Sequence, residues 1–255
     1  MPISFFKYFP APKYIGMPHV GFDISSNAIR YIELIKSPKG LTLGRFGTQD
    51  LSTPVVFDDK LASNQDLILS LKKLQKANRF NFVEISIPEE KAYLFTMEIP
   101  SGESETVRNH IEFHLEENVP IALADAVFDY HVIKKGNKKG VDFASVSVVP
   151  RVVIEDYISL FEKCGMTPVS FLIENQAITR SIIGMDDLDT YLVVNIGRTK
   201  TVLSIVSEQS VQFTSTVNIG GEDFATAIAK ENSISKEEAE KMIRDKGFSR
   251  TENNN

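Results

Sequence analysis

His19-Val20-Gly21-Phe22-Asp23-Ile24, then Ser25-Ser26-Asn27, then Ala28-Ile29-Arg30-Tyr31-Ile32-Glu33-Leu34-Ile35, is the stretch on which the fold turns. Two short runs rich in β-branched and apolar residues flank a polar turn, the pattern of two strands closed by a hairpin. Ser37-Pro38-Lys39-Gly40 supplies a second turn, and Leu41 to Asp50 a third strand, so an antiparallel meander is expected. A helix follows, N-capped by Ser63 or Asn64, with Leu67, Ile68, Leu71 and Leu74 at helical spacing. Phe82 to Ile87 then reads as a strand, stopped by Pro88. The same order recurs: Tyr191 to Ile196, Thr201 to Val206 and Val211 to Ile219 read as strands, followed by Gly220-Gly221 and a helix from about Glu222 to Lys230. Each copy carries a polar turn after its first strand, Asp23-Ile24-Ser25-Ser26-Asn27 and Asn195-Ile196-Gly197-Arg198-Thr199. The expected class is α/β, built from two related halves that could face each other across a cleft.

Between the halves the rhythm changes. Ala92 to Ile99, Ala126 to Ile133 and Val141 to Val149 read as strands, with a helix capped by Ser104 that carries Val107, Ile111 and Leu115. Val152, Val153, Tyr157, Ile158 and Phe161 share one face of the next helix, which stops at Gly165. Thr167 to Ile173 is a strand, and Gln176 to Ile183 a short helix. Ser235 and Glu238 have capping-box spacing for a last helix. The expected domains are a leader at 1–18, a first domain at 19–90 and 150–188, an inserted α+β subdomain at 91–149, and the start of a second domain at 189–255.

The 255 residues carry a net charge of −6, and the only run of lysines, around Lys134 to Lys139, reads as a hairpin tip or a partner patch. An acidic chain without a long basic face is no dedicated nucleic-acid binder. Cys164 stands alone, which rules out an intrachain disulfide and suits a reducing compartment. No stretch approaches the roughly 18 apolar residues of a membrane span, and the N-terminus lacks the unbroken apolar run of a signal peptide.

Turns rich in Ser, Thr and Gly let backbone N–H groups and hydroxyls converge on phosphate oxygens, and an acid or amide ending the first strand can hold Mg²⁺ through water. Ser25, Ser26, Asn27, Arg30, Gly197, Arg198 and Thr199 are the candidate phosphate ligands; Asp23 and Asn195 face the metal. Glu174 follows a strand and precedes a helix, where a carboxylate complements the N-terminal dipole. His110 and His114 have ligand spacing but no evident third partner, and Cys164 has no evident base.

Asp23 to Arg30 resembles the first phosphate motif of the actin/Hsp70-like ATPase superfamily, Asn195 to Thr201 the second, and Ile219-Gly220-Gly221-Glu222-Asp223-Phe224 the Gly-Gly element that Hsp70 proteins carry. Within that superfamily the chain resembles the PilM family of type IV pilus assembly. The resemblance is carried by Tyr14-Ile15-Gly16, Ile111 to Pro120, Phe161 to Pro168 and Glu237 to Lys241. It implies an actin-like, ribonuclease H-like fold with the small insert shared with the cell-division protein FtsA. It also implies ATP and Mg²⁺ as ligands, with Gly220 and Gly221 letting the backbone approach them, and Glu174 as the catalytic carboxylate that positions an attacking water. The implied partners are the cytoplasmic N-terminal peptide of PilN, at the cytoplasmic face of the inner membrane, and the pilus assembly ATPases.

Two departures bear on chemistry. Ser25 replaces the family's glycine, and Asn195 replaces its aspartate, so binding with little or no hydrolysis is expected. The superfamily's adenosine-binding Gly-Gly element has no counterpart here, so the second half is expected to be incomplete, exposing apolar surface and favouring self-association. The alternatives are a nucleotide-independent scaffold similar to the cytoplasmic part of the type II secretion protein GspL, and an active superfamily ATPase or kinase.

Overall fold

The computed structural model describes residues 17–37, 40–56, 60–101, 104–133, 140–184 and 186–247. The leader up to residue 16, the lysine run at 134–139 and the tail from 248 lie outside them. The chain divides into two compact units, Met1–Ile182 and Ile183–Asn255.

In the first unit, β1 (His19–Ile24), β2 (Ala28–Ser37) and β3 (Gly40–Asp50) form the expected meander. α1 (Gln65–Asn78) leads to β4 (Phe82–Ile87), which pairs parallel to β1. The insert follows as β5 (Tyr93–Pro100), α2 (Ser104–Asn118), β6 (Ala126–Ile133) and β7 (Val141–Pro150). The chain then returns through α3 (Arg151–Lys163), β8 (Thr167–Ile173) and α4 (Glu174–Ile182). The main sheet has the order β3-β2-β1-β4-β8, and the insert's sheet the order β5-β7-β6.

Period-two alternation decides which face of β1 does what. Val20, Phe22 and Ile24 are buried against α1 and α3, so Gly21 and Asp23 point from the opposite face. α1 buries Leu67, Ile68, Leu71 and Leu74, and its cap is Asn64, whose side chain accepts the Leu67 N–H at 3.0 Å. Ser104 is the first residue of α2. α3 buries Tyr157, Leu160 and Phe161, whereas Val152 is 62% exposed. Val152 lies five positions before Tyr157, roughly 140° around the helix, so it cannot share that face. The rings of Phe80 and Phe161 meet Phe22 edge-on, with centroids 5.6 and 5.5 Å away. The insert has a separate core of Ile99, Val107, Ile111, Leu115 and Val146.

Arg45 grips Glu33 with two 2.7 Å hydrogen bonds and lies over the Phe80 ring, 4.7 Å from its centroid. The Arg45 hydrogen bond is the largest cause that holds the Glu33 carboxyl below its ordinary value of 4.5. A depressed carboxylate stabilises the fold above its unfolded pKa, and that contribution disappears as pH falls through the folded value. Arg45→Met is therefore expected to cost on the order of 1 kcal/mol or less near neutrality, given solvent screening. Urea unfolding at about pH 3 should show the penalty shrinking; a pH-independent loss would assign it to packing on Phe80 instead.

The second unit comprises β9 (Tyr191–Ile196), β10 (Thr201–Ser207) and β11 (Ser210–Val217), ordered β11-β10-β9, then α5 (Gly221–Asn232) and α6 (Lys236–Lys246). Val202, Val206 and Val211 are buried. Across the three strands, Leu192, Ile205 and Phe213 pair in one row and are 66%, 42% and 57% exposed. The expected Ser235–Glu238 capping box is formed.

Candidate functional site

Asp23 is the penultimate residue of β1 and points from the face away from the aromatic core. Its neighbours in the sheet are fixed by register: Arg30 stands directly opposite on β2, and Ser86 on β4. Arg30 Nη1 lies 3.4 Å from Asp23 Oδ2 and donates to Ser25 Oγ at 3.3 Å. Burial is the largest influence on Asp23 and lifts its carboxyl above the ordinary value, while Arg30 and Ser86 pull it back.

The turn that follows is closed by its own hydrogen bonds. The Ser25 N–H and hydroxyl both donate to the Ala28 carbonyl, at 2.9 and 3.1 Å. The carbonyls of Asn27 and Ser26 accept from the amides of Leu51 and Val55. Among the described residues the Ser26 and Asn27 amides make no backbone hydrogen bond. Those two N–H groups and the Arg30 guanidinium are donors suited to phosphate oxygens.

Beside this turn a cavity of about 600 Å³ opens between the sheet and α4, lined by Gly21, Asp23, Arg30, Ser86, Glu174 and Arg180 among others. Glu174 lies in the first turn of α4 rather than ahead of it, and it lines the same cavity as Asp23. Tyr157 belongs to the neighbourhood from below: its buried hydroxyl has no hydrogen-bond partner, and burial is the main cause that pushes it up, with Asp23, Asp156 and Glu174 adding to it. Sequence reasoning placed Tyr157 on a core face and passed over Ser86. Ser86 was within reach of parity, because Glu84 and Ser86 alternate with buried Val83, Ile85 and Ile87.

In the second unit, Gly197 N–H donates to the Lys200 carbonyl, and the amides of Gly221 and Glu222 donate to the carbonyls of Gly197 and Arg198. The first amides of α5 thus serve the turn rather than an outside anion. A Cβ on Gly220 would lie 2.5 Å from the Arg198 carbonyl oxygen, so this glycine permits close approach of its own chain. Asp223 accepts the Gly220 N–H, and Arg198 is paired with Glu222, which also meets Lys236 at 3.6 Å. Asn195 is the penultimate residue of β9, Thr199 lies in the turn, and both belong to this unit.

The donor set suits phosphate better than a divalent ion. Asp23 already faces a guanidinium, and Asn195 brings no charge. No group of three or more His, Cys, Asp or Glu residues that could hold a metal occurs among the described residues. The rings of His110 and His114 are tilted by 53° with centroids 4.6 Å apart, and His114 pairs with Glu117 at 2.9 Å, as surface histidines do. Cys164 is buried, which raises its thiol, and its Sγ reaches the Ile68 carbonyl at 3.7 Å. No helix among the described residues is long and apolar enough to cross a membrane.

Comparison with solved structures places the fold. The chain is similar to the PilM-PilN type IV pilus biogenesis complex, with a TM-score of 0.72 at 16% identity, over 89% of this chain and 69% of that one. It is also similar to Cyto-EpsL, the cytoplasmic domain of an inner-membrane component of the Vibrio cholerae type II secretion system, with a TM-score of 0.51 at 16% identity, over 84% of this chain and 74% of that one. The fold is actin-like. Residues 21–255 match the family described as type IV pilus assembly protein PilM, and over so much of its length the chain belongs to that family.

Proposed function

We propose that this chain is an actin-like adaptor of pilus assembly that binds ATP with little or no hydrolysis and docks the cytoplasmic N-terminal peptide of a PilN-like inner-membrane protein. It would work at the cytoplasmic face of that membrane and communicate with the assembly ATPases. The observation that carries the nucleotide reading is the β1–β2 turn, where the Ser26 and Asn27 amides offer donors beside Arg30, which also lines the Glu174 cavity. The partner reading rests on family membership and on likeness to the PilM-PilN complex. When bound, ATP would supply a polyphosphate whose charge these residues meet, and its occupancy would bias which conformation the partner sees.

The test is calorimetry with ATP and with a synthetic PilN N-terminal peptide, each alone and in the presence of the other. Saturable ATP binding should weaken at least tenfold in Arg30→Ala, and ATP should shift peptide affinity by about 5-fold or more. Peptide binding that ignores ATP would support the second reading, a nucleotide-independent scaffold. That reading is favoured by the spent donors: the Ser25 N–H and hydroxyl, and the Gly221 and Glu222 amides, all serve the protein's own carbonyls. Release of phosphate that falls in Glu174→Gln would instead establish an enzyme.

A further inference from the structure

We infer that Arg30 stands in for the divalent cation at the first phosphate turn, so that nucleotide polyphosphate binds this chain with little dependence on Mg²⁺. The inference rests on the nucleotide-binding reading. It starts from strand register. Asp23 and Arg30 are directly opposed in the antiparallel β1–β2 pair, and their contact at 3.4 Å is held by the sheet rather than by a chance rotamer. On the other side of Asp23 the parallel partner is Ser86, whose side chain hydrogen-bonds it. Both flanks of the carboxylate are therefore occupied by groups that belong to the sheet. A cation would meet a carboxylate whose charge is already answered by Arg30 and whose oxygens already accept hydrogen bonds.

No other carboxylate in reach replaces it. Glu84 accepts from Ser170 at 3.0 Å and meets His19 at 3.5 Å. Glu174 shares the cavity with Arg180. Mg²⁺ demands near-octahedral oxygen ligation and gives up water reluctantly, so a single carboxylate already engaged by Arg30 and Ser86 makes a poor seat. A guanidinium is permanently charged and presents a planar fork that matches phosphate. Arg30, which also donates to Ser25 on the turn itself, fills that role without a metal.

The experiment uses the 255-residue chain. ATP is titrated calorimetrically in excess EDTA and in excess Mg²⁺. The expected affinities agree within threefold, and Arg30→Met loses at least tenfold in EDTA while Arg30→Lys keeps most of the binding. A Mg²⁺ effect on the wild type larger than threefold overturns the inference. A second arm needs no nucleotide: Mn²⁺ binding to the free protein is followed by electron paramagnetic resonance. The wild type should show no site tighter than about 1 mM, and Arg30→Met should bind Mn²⁺ at least threefold more tightly than the wild type, a gain that the added Asp23→Asn change removes. A wild-type Mn²⁺ site lost in Asp23→Asn, or no gain in Arg30→Met, overturns it. Should ATP fail to bind under either condition, the nucleotide reading falls, and the Mn²⁺ arm still decides whether Arg30 holds the cation position.

Discussion

Gly220→Ala is expected to destabilise the second unit by about 3 kcal/mol, the upper part of the range for overpacking a close-packed site. The added Cβ would lie 2.5 Å from the Arg198 carbonyl oxygen, 2.6 Å from its carbon and 2.7 Å from the Lys200 nitrogen. All three are backbone atoms of a turn whose carbonyls already hold the Gly221 and Glu222 amides, so nothing flexible can yield. Dihedral strain is not the cause, because Gly220 has φ −141° and ψ −168°, which any residue adopts. Gly221→Ala is the control. Its Cβ would meet only the Gly197 carbonyl oxygen at 3.7 Å, an ordinary contact, and its effect should stay within about 0.5 kcal/mol. Hydrogen exchange of β9 to β11 in the two variants would separate them. Equal exchange would mean that the turn relaxes freely around a side chain at position 220.

The second large effect is Phe22→Ala, for which a loss of roughly 3–5 kcal/mol is expected. Phe22 is 2% exposed and is held by the rings of Tyr31, Phe80 and Phe161 with centroids 5.5 to 6.0 Å away. Its removal opens a cavity on the core face of β1, one residue from Asp23 on the other face. Unfolding by urea, followed by circular dichroism because the chain has no tryptophan, should show the early midpoint. Ile111→Ala makes an equally buried hole in the insert's own core, and there the increased exchange should be confined to the insert. A Phe22→Ala midpoint within experimental error of wild type would show that the three rings collapse to fill the space.

How much of this was written locally is clear from particular residues. The alternation that turns Phe22 inward and Asp23 outward is readable from the strand alone, as are Asn64 and the Ser235–Glu238 cap, because each depends on neighbours within four positions. The opposition of Asp23 and Arg30 is legible once a three-residue turn is assumed. The partnership of Asp23 with Ser86 is not, because parallel pairing of β1 with β4 is set by packing of the helix between them. Gly220 was recognisable as special, but its reason lies 22 residues earlier in the Arg198 carbonyl. Tyr157 looked like any apolar-face residue, and only the fold brings its hydroxyl near two carboxylates. Val152 shows the limit of periodicity, since one residue of drift moves a side chain from core to solvent.

The way the insert is joined to the main sheet has a mechanical consequence. β7 runs without a loop into α3, Pro150 being both the last strand residue and the helix N-cap. Arg151 clamps that joint by donating to the carbonyls of Ala124 and Ala126 at the start of β6. On another side Gln176 Nε2 of α4 donates to Ser147 Oγ of the insert at 2.6 Å, and Val149 packs with Ile87 and Ile173 of the main sheet. The insert is thus a lever rooted in β4 and α3, where the chain enters and leaves it, and latched to α4 by Gln176. Torque applied to it passes into α3, the helix that carries Tyr157, and into α4 at Gln176, two residues from Glu174.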